Sequence, residues 1–240
     1  MPDNHNTSNA MRIYKPWAAC ALLAGLFMAS GHAADPGVTD KEIVVGQFAA
    51  QTGPAAELGK RMQLGMLAHF NAVNAAGGVN GRSIKLVSRD DGYEPDKAAA
   101  AVKALIEEDK VFALVGSVST PTTLAAELGD TGAGVTISQV VPFPYTPSSA
   151  IVREYQQRMT DAGNKDFDFS SMEGFLAAKV FVEGVRRAGK TLTRESLVTG
   201  LESMRDFNLG GFIVNYSPKS HEGSRYTDLT IIGRGGRFVR

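Results

Sequence analysis

Short apolar runs alternate with amphipathic stretches between residues 41 and 130, and this alternation constrains the fold more than any other feature. β-rich runs lie at 41–49, 83–88 and 111–115, separated by segments whose apolar residues recur at helical spacing. The first of these segments carries one apolar stripe of Leu58, Met62, Met66, Phe70 and Val73. The β-α-β-α-β-α order predicts an α/β protein with a parallel sheet, right-handed crossovers and helices on both faces.

The second half contains one more strand, three helices and an alternating tail. The run "GVTISQVV" predicts the strand, and "PFPYTP" a stiff connector. Apolar residues mark the first helix: Ile151, Val152, Tyr155 and Met159. The second, "SSMEGFLAAKVFVEGVRRAG", opens with a capping-box pattern of Ser170 and Glu173. The third is "TRESLVTGLESM", and the tail predicts an antiparallel hairpin that turns at 233–236.

The N-terminal residues predict a cleaved signal peptide. Arg12 and Lys15 precede an apolar run, 17–29, that is short for a membrane span, and small residues precede a cleavage point after Ala33. Either Met1 or Met11 serves as the start, and a membrane anchor is the alternative interpretation. We therefore expect a periplasmic protein whose mature part lacks cysteine, with segments 1–33, 34–130 and 131–240.

Composition and motifs argue against several classes of function. The formal net charge is zero, which disfavours a nucleic-acid partner. The corner "QTGPAAELG" lacks the glycine pattern of a dinucleotide site, and "RDDGYEPD" lacks the spacing of a calcium loop. For the latter, a solvated loop with a helix-capping acid is the favoured interpretation. No nucleophile with a partner base is recognisable, so we expect no enzyme, cofactor or metal site.

The stretch "ALVGSVSTPTTLAAELGD" holds the strongest candidate site. A strand ends at Gly116, and Ser117, Ser119 and Thr120 follow, with Thr120 placed as an N-cap before Pro121. A helix N-terminus offers free N–H groups and partial positive charge, which suit a carboxylate or phosphate. Ligands of open α/β sheets lie beyond the carboxyl ends of the strands. A cap and a turn without a ligand remain the alternative at this point.

Several segments together resemble the leucine/isoleucine/valine-binding family, the type I periplasmic solute-binding proteins of ABC transporters. They are "TGP", "NAAGGVNGR", "DDGYEPD", "SSMEGFLAAKVFVEGVRRAG" and "GSRYTDLTIIG". The resemblance covers about 39–123 and 134–239. It implies two α/β lobes joined by a hinge, a ligand trapped between them, and an inner-membrane ABC permease as partner.

The resemblance also implies ligand-binding residues. The family's first-lobe binding loop matches Ser117, Val118, Ser119 and Thr120, where a serine hydroxyl and backbone N–H groups hold the ligand's carboxylate. Leu58 matches a position that lines the cleft. The implied ligand is a branched-chain amino acid or a related small carboxylate.

The chain departs from the family between the two resembling parts. After "TTLAA" it continues into "ELGDTGAGVTISQVVP", which resembles the end of the second lobe. The expected fold is therefore mostly the first-lobe parallel sheet plus a C-terminal antiparallel hairpin, with the second lobe largely missing and a junction at 124–130. Three functions stay open: a solute-binding protein, a shortened chain that no longer binds, and a sensor module of the same fold.

Overall fold

A computed structural model describes residues 35–117, 136–233 and 238–239. The predicted signal peptide, the helix expected after Thr120, the junction at 124–130 and the tip of the C-terminal hairpin lie outside these residues. The predicted segment boundary between 130 and 131 also falls outside them, and it stays a prediction.

A parallel sheet forms the first part of the described chain. Its strands are β1 (Glu42–Ala49), β2 (Ser83–Asp90) and β3 (Ala113–Leu114), in the order β2-β1-β3. The pairing of β1 with β2 runs in register from Glu42 opposite Ser83 to Ala49 opposite Asp90. This confirms the predicted parallel sheet.

The third strand differs from its prediction. The run 111–115 is nearly all apolar, which predicts a strand covered on both faces, but β3 has two residues and Leu114 is 40% exposed. Backbone bonds from Phe112 N to Val44 O and from Val115 N to Gly46 O, both 2.8 Å, extend its ladder on the β1 side. The predicted coverage is wrong at Leu114, because its side chain lines an open cavity.

Two helices cover opposite faces of this sheet. They are α1 (Ala56–Ala75) and α2 (Pro95–Glu107). Val45 shares a core cluster with Met66 of α1, whereas a Cβ on the next residue, Gly46, would lie 3.2 Å from Leu105 of α2. Successive strand residues point to opposite faces, so the prediction of helices on both faces is confirmed.

The helical predictions hold with two corrections. The α1 stripe is buried except for half-buried Val73. The helical spacing of Ala98, Val102, Leu105 and Ile106 predicts the buried face of α2, but Ile106 is 51% exposed. Ala101 is buried in its place, because the inward face of α2 is centred on Ala101 and Leu105. The predicted cap of the long helix is also wrong: Asp168 is the N-cap and its side chain accepts from Ser171 N at 2.9 Å.

Three helices follow the undescribed segment. They are α3 (Ala150–Asp161), α4 (Phe169–Ala188) and α5 (Arg194–Glu202). The predicted stripe of α3 is completely buried. Helix α4 packs along α1 at two glycines: a Cβ at Gly65 would lie 1.9 Å from Ser171 O, and one at Gly174 would lie 2.1 Å from Met62 O. Only glycine permits this approach of the two backbones.

Two antiparallel sheets complete the described chain. One contains β4 (Thr136–Gln139), β8 (Asp228–Ile232) and β9 (Phe238–Val239), in the order β4-β8-β9. The other contains β5 (Phe207–Asn208), β6 (Ile213–Ser217) and β7 (Ser220–Gly223). The antiparallel pairing of β8 with β9 confirms the predicted C-terminal hairpin. Within the described ranges, no helix has both the length and the apolarity needed to cross a bilayer.

Candidate functional site

The carboxyl ends of β1, β2 and β3 meet at one edge of the parallel sheet. Gln51 and Thr52 follow β1, Asp90 ends β2, and Gly116 and Ser117 follow β3. Parallel strands bring their carboxyl ends together, so residues far apart in sequence become neighbours. This edge is where the sequence placed the ligand site.

Asp90 fixes the corner between β1 and α1. Its Oδ1 accepts from the backbone N of Gln51 at 2.7 Å and of Gly92 at 2.9 Å, and its Oδ2 accepts from Thr52 Oγ1 at 2.5 Å. These bonds, that of the Thr52 hydroxyl first, lower the pKa of Asp90 to about 2, because they favour the charged form. With both oxygens occupied, Asp90 positions the corner.

Gln47 joins all three strands from the inside. Its side chain is completely buried on β1, its Oε1 accepts from Ser88 Oγ at 3.1 Å, and its Nε2 donates to Gly116 O at 3.1 Å. A buried amide is stable only when its polar atoms have partners. The amide therefore ties the end of β2 to the turn that precedes Ser117.

Ser117 lies just beyond the end of β3 and is exposed. The preceding Gly116 has φ +70°, and a Cβ there would lie 2.6 Å from Met66 Sδ of α1. The left-handed backbone angle favours glycine at this turn, and a Cβ there would also displace the Met66 side chain. Ser117 itself is accessible, as a ligand-binding serine needs to be.

The structure does not test the roles of the other predicted ligand-binding residues. Val118, Ser119 and Thr120 lie outside the described residues, so their proposed role stays a prediction. Leu58 is 6% exposed in the first turn of α1, a helix whose N-cap, Ala55, makes no side-chain capping bond. The role of Leu58 in lining a cleft likewise stays a prediction.

An open cavity of about 650 Å³ adjoins the end of β3. It lies between that strand end, α4, α5 and the β6–β7 hairpin. Glu173 of α4 is a half-buried acidic residue of its wall, and burial raises the pKa of its carboxyl. Its lining is otherwise mainly apolar: Leu114, Val141, Leu176, Val180, Phe181 and Val214.

Sequence reasoning missed these supporting residues. The pattern "RDDGYEPD" favoured a solvated loop with a helix-capping acid. The N-cap of α2 is Glu94, but its side chain makes no capping bond. Asp90 instead braces the β1–α1 corner. The signal that could have found it is its position at the end of β2, one strand from "QTG". The described residues contain no group of His, Cys, Asp or Glu arranged to hold a metal.

Solved structures share this architecture. A possible leucine/isoleucine/valine-binding protein from Rhodopirellula baltica matches with a TM-score of 0.74 and 18% identity, covering 84% of this chain and 97% of that chain. A branched chain amino acid ABC transporter protein from Thermus thermophilus with bound valine matches with a TM-score of 0.68 and 11% identity, covering 84% and 96%. The class is therefore an α/β protein of the type I periplasmic-binding-protein fold.

The sequence comparisons identify the family. The periplasmic binding protein family model matches residues 42–128 and 124–237, and the chain belongs to this family. An amino acid binding protein from Pseudomonas aeruginosa is 38% identical over 85 residues, which cover 35% of this chain and 23% of the relative. A Leu/Ile/Val-binding protein homolog 7 from Brucella melitensis is 29% identical over 141 residues, covering 59% and 31%.

The lengths of these matches fit the predicted departure from the family. The chain spans less than a third of the length of the curated relatives it matches. The two parts of the family match meet at 124–128, inside the predicted junction at 124–130. Relative to its family, the chain therefore resembles a member with a large internal deletion.

Proposed function

We propose that the protein is the periplasmic substrate-binding component of an ABC transporter for branched-chain amino acids or a related small carboxylate. The observation that carries the proposal is the exposed Ser117 at the carboxyl edge of the parallel sheet, in a turn held by Gly116 and Gln47. Names of relatives agree: a Pseudomonas aeruginosa relative, 39% identical over 75 residues, is called a leucine-, isoleucine-, valine-, threonine-, and alanine-binding protein.

In this proposal the strand end binds the carboxylate of the ligand. Ser117 Oγ donates one hydrogen bond, and backbone N–H groups of 118–120 donate others. Charge-assisted bonds of this kind are about twice as strong as neutral ones. Leu58 contributes to the apolar wall. The protein acts by binding rather than catalysis, in the periplasm after loss of residues 1–33, and delivers its ligand to an inner-membrane permease.

A second candidate is a shortened chain that no longer traps ligand. The two-part family match supports it, because a chain shortened at 124–128 would lack the region that supplies the opposite side of a two-lobed cleft. In that case the described fold persists while affinity for amino acids is lost. The sensor module of the same fold shares the ligand chemistry of the first candidate and differs only in its partner.

Thermal unfolding with and without leucine, isoleucine or valine tests the proposal. At a ligand concentration of 100 times Kd, a binder gains about 2.7 kcal/mol, so its melting temperature rises clearly. Ser117→Ala should weaken binding about tenfold or more through the lost bond to a charged group. The matched control is Ser220→Ala on β7, an exposed serine that is not among the residues lining the cavity beside β3.

The outcomes separate the two candidates. A shift that Ser117→Ala reduces and Ser220→Ala preserves supports transport-type binding. A cooperative melt that none of the three amino acids alters overturns that proposal and supports the non-binding chain.

A further inference from the structure

The cavity beside β3 has the size and shape of a small-molecule site. Its volume of about 650 Å³ lies inside the range of roughly 300–1,000 Å³ that ligand pockets occupy. Gly116, the residue before Ser117, belongs to its wall. The cavity therefore lies next to the residue proposed to bind the carboxylate, Ser117.

One face of α4 forms a wall of the cavity. Glu173, Leu176, Ala177 and Val180 line it, at the i, i+3, i+4 and i+7 spacing that places residues on one helical face. A different face of α4, with Gly174, packs against α1. Because this packing fixes the helix, the position of Glu173 at the cavity does not depend on a mobile loop.

The charged residues of the wall have one sign. Glu173, Glu202 and Glu222 line the cavity together with His221, and no lysine or arginine among the residues that the structure describes lines it. Glu202 is engaged, since its Oε1 lies 2.8 Å from His221 Nε2. Glu173 has neither a hydrogen bond nor an ion pair with any part of the chain that the structure describes.

A half-buried carboxylate without a partner is costly in an apolar wall. Burial raises the pKa of Glu173, and no cation among the described residues offsets this effect. A cationic group on a ligand would supply the missing partner, and the apolar wall would cover the rest of that ligand. Leu114, Val140 and Val198 offer 40–58% exposed surfaces for this contact.

We propose that this cavity binds a primary ammonium group carried on a small branched apolar body, with Glu173 as its counter-ion. Where the ligand is an amino acid, the inference rests on the proposed function. Ser117 then holds the carboxylate and Glu173 the ammonium, so both ends of the ligand contact residues of the described fold. Specificity for an apolar side chain comes from the walls contributed by α4 and α5.

Titrations of the full-length protein with three ligands test the inference. L-leucine carries both charged groups, 3-methylbutylamine carries the ammonium alone, and 4-methylpentanoate carries the carboxylate alone. Isothermal calorimetry at millimolar ligand concentrations measures each Kd. Glu173→Gln should weaken leucine and 3-methylbutylamine at least tenfold and leave 4-methylpentanoate unchanged.

Two further variants keep the test interpretable. Glu195→Gln changes an exposed glutamate of α5 outside the cavity wall, and it should leave every Kd unchanged. Ala177→Leu reduces the cavity volume while Glu173 remains, and it should weaken the amine as well. Circular dichroism melts establish that each variant is folded before titration.

Each outcome supports or overturns the inference. Loss of amine binding in both Glu173→Gln and Ala177→Leu supports it. Amine binding that Glu173→Gln leaves intact overturns it, as does the absence of any amine binding to the wild type. Leucine binding that needs Ser117 and not Glu173 overturns this inference alone. Amine binding that needs Glu173, without any leucine binding, overturns the proposed function alone.

Discussion

The contact between α1 and α4 and the open edge beside β3 are opposite kinds of surface. In the α1–α4 contact, Met62, Met66 and Phe175 are at most 2% exposed and the two backbones touch at Gly65 and Gly174. Beside β3, Leu114 and Val140 are 40% and 58% exposed, and Glu173 has no partner in the described chain. One surface is closed by the fold, and the other is left open.

The difference shows where stability and binding reside. Helix α1 precedes the predicted junction and α4 follows it, so their contact joins the two parts that resemble the family. Close packing of this kind is sensitive to single methyl groups. The edge beside β3 has little packing to lose, and substitutions there are expected to alter ligand affinity more than folding. The following predictions test this contrast.

Gly65→Ala should give the largest effect. The added Cβ would lie 1.9 Å from Ser171 O, so α1 and α4 must separate. We expect a loss of about 3 kcal/mol or more in the free energy of unfolding, because overpacking displaces backbone as well as side chains. Urea denaturation measures it, with Asn71→Ala, an exposed change on the same helix, as the control. Equal midpoints for both variants would contradict the close contact.

Removal of His69 should flatten the pH dependence of stability. The ring is 6% exposed in the α1–α4 contact, edge-on to Phe175 at 5.2 Å, and in the described chain neither ring nitrogen has a hydrogen-bond partner. Burial, with Lys179, Arg158 and Arg186 nearby, lowers the pKa of His69 from 6.5 to about 3. Below pH 6.5, His69 therefore binds a proton in the unfolded chain but not in the folded chain. The free energy of unfolding accordingly decreases as the pH decreases.

Chemical denaturation at pH 7.5 and pH 5.0 measures this effect. Linkage gives about 2 kcal/mol of stability lost by the wild type over this interval through His69. The loss should shrink by that amount in His69→Leu. An identical loss in both proteins would show that His69 is accessible to protons in the folded state.

Asp90→Asn should give the smallest effect, because the strand edge is solvated. Its pKa, lowered to about 2 from 3.8, means that its contribution is complete above pH 4 and disappears as the pH falls toward 2. We expect about 1 kcal/mol or less at pH 7, since solvent screens an exposed carboxylate. Urea midpoints at pH 7 and pH 3 measure it, with exposed Asp40→Asn as the control. A loss of stability as large as that of Gly65→Ala would contradict the contrast between the packed α1–α4 contact and the solvated strand edge.

Prediction from sequence succeeded where the signal was periodic and local. The stripe from Leu58 to Phe70 is buried as predicted, and so are the four residues that marked α3. It failed at α4, where Ser170 and Glu173 matched a capping box but Asp168 makes the cap. Several residues near a helix start have capping side chains, and only the path of the preceding chain selects one of them.

The sequence by itself determined the order of helices and strands, the family, and the position of Ser117 after a strand. Those properties follow from residue spacing and from motifs within short segments. The tertiary structure alone decided that Thr52 bonds to Asp90, that Gly65 touches Ser171, and that Glu173 lines a cavity instead of capping a helix. The residues that meet in these contacts, and those that line the cavity, are far apart in the chain. Packing of whole helices and strands against one another brings them together.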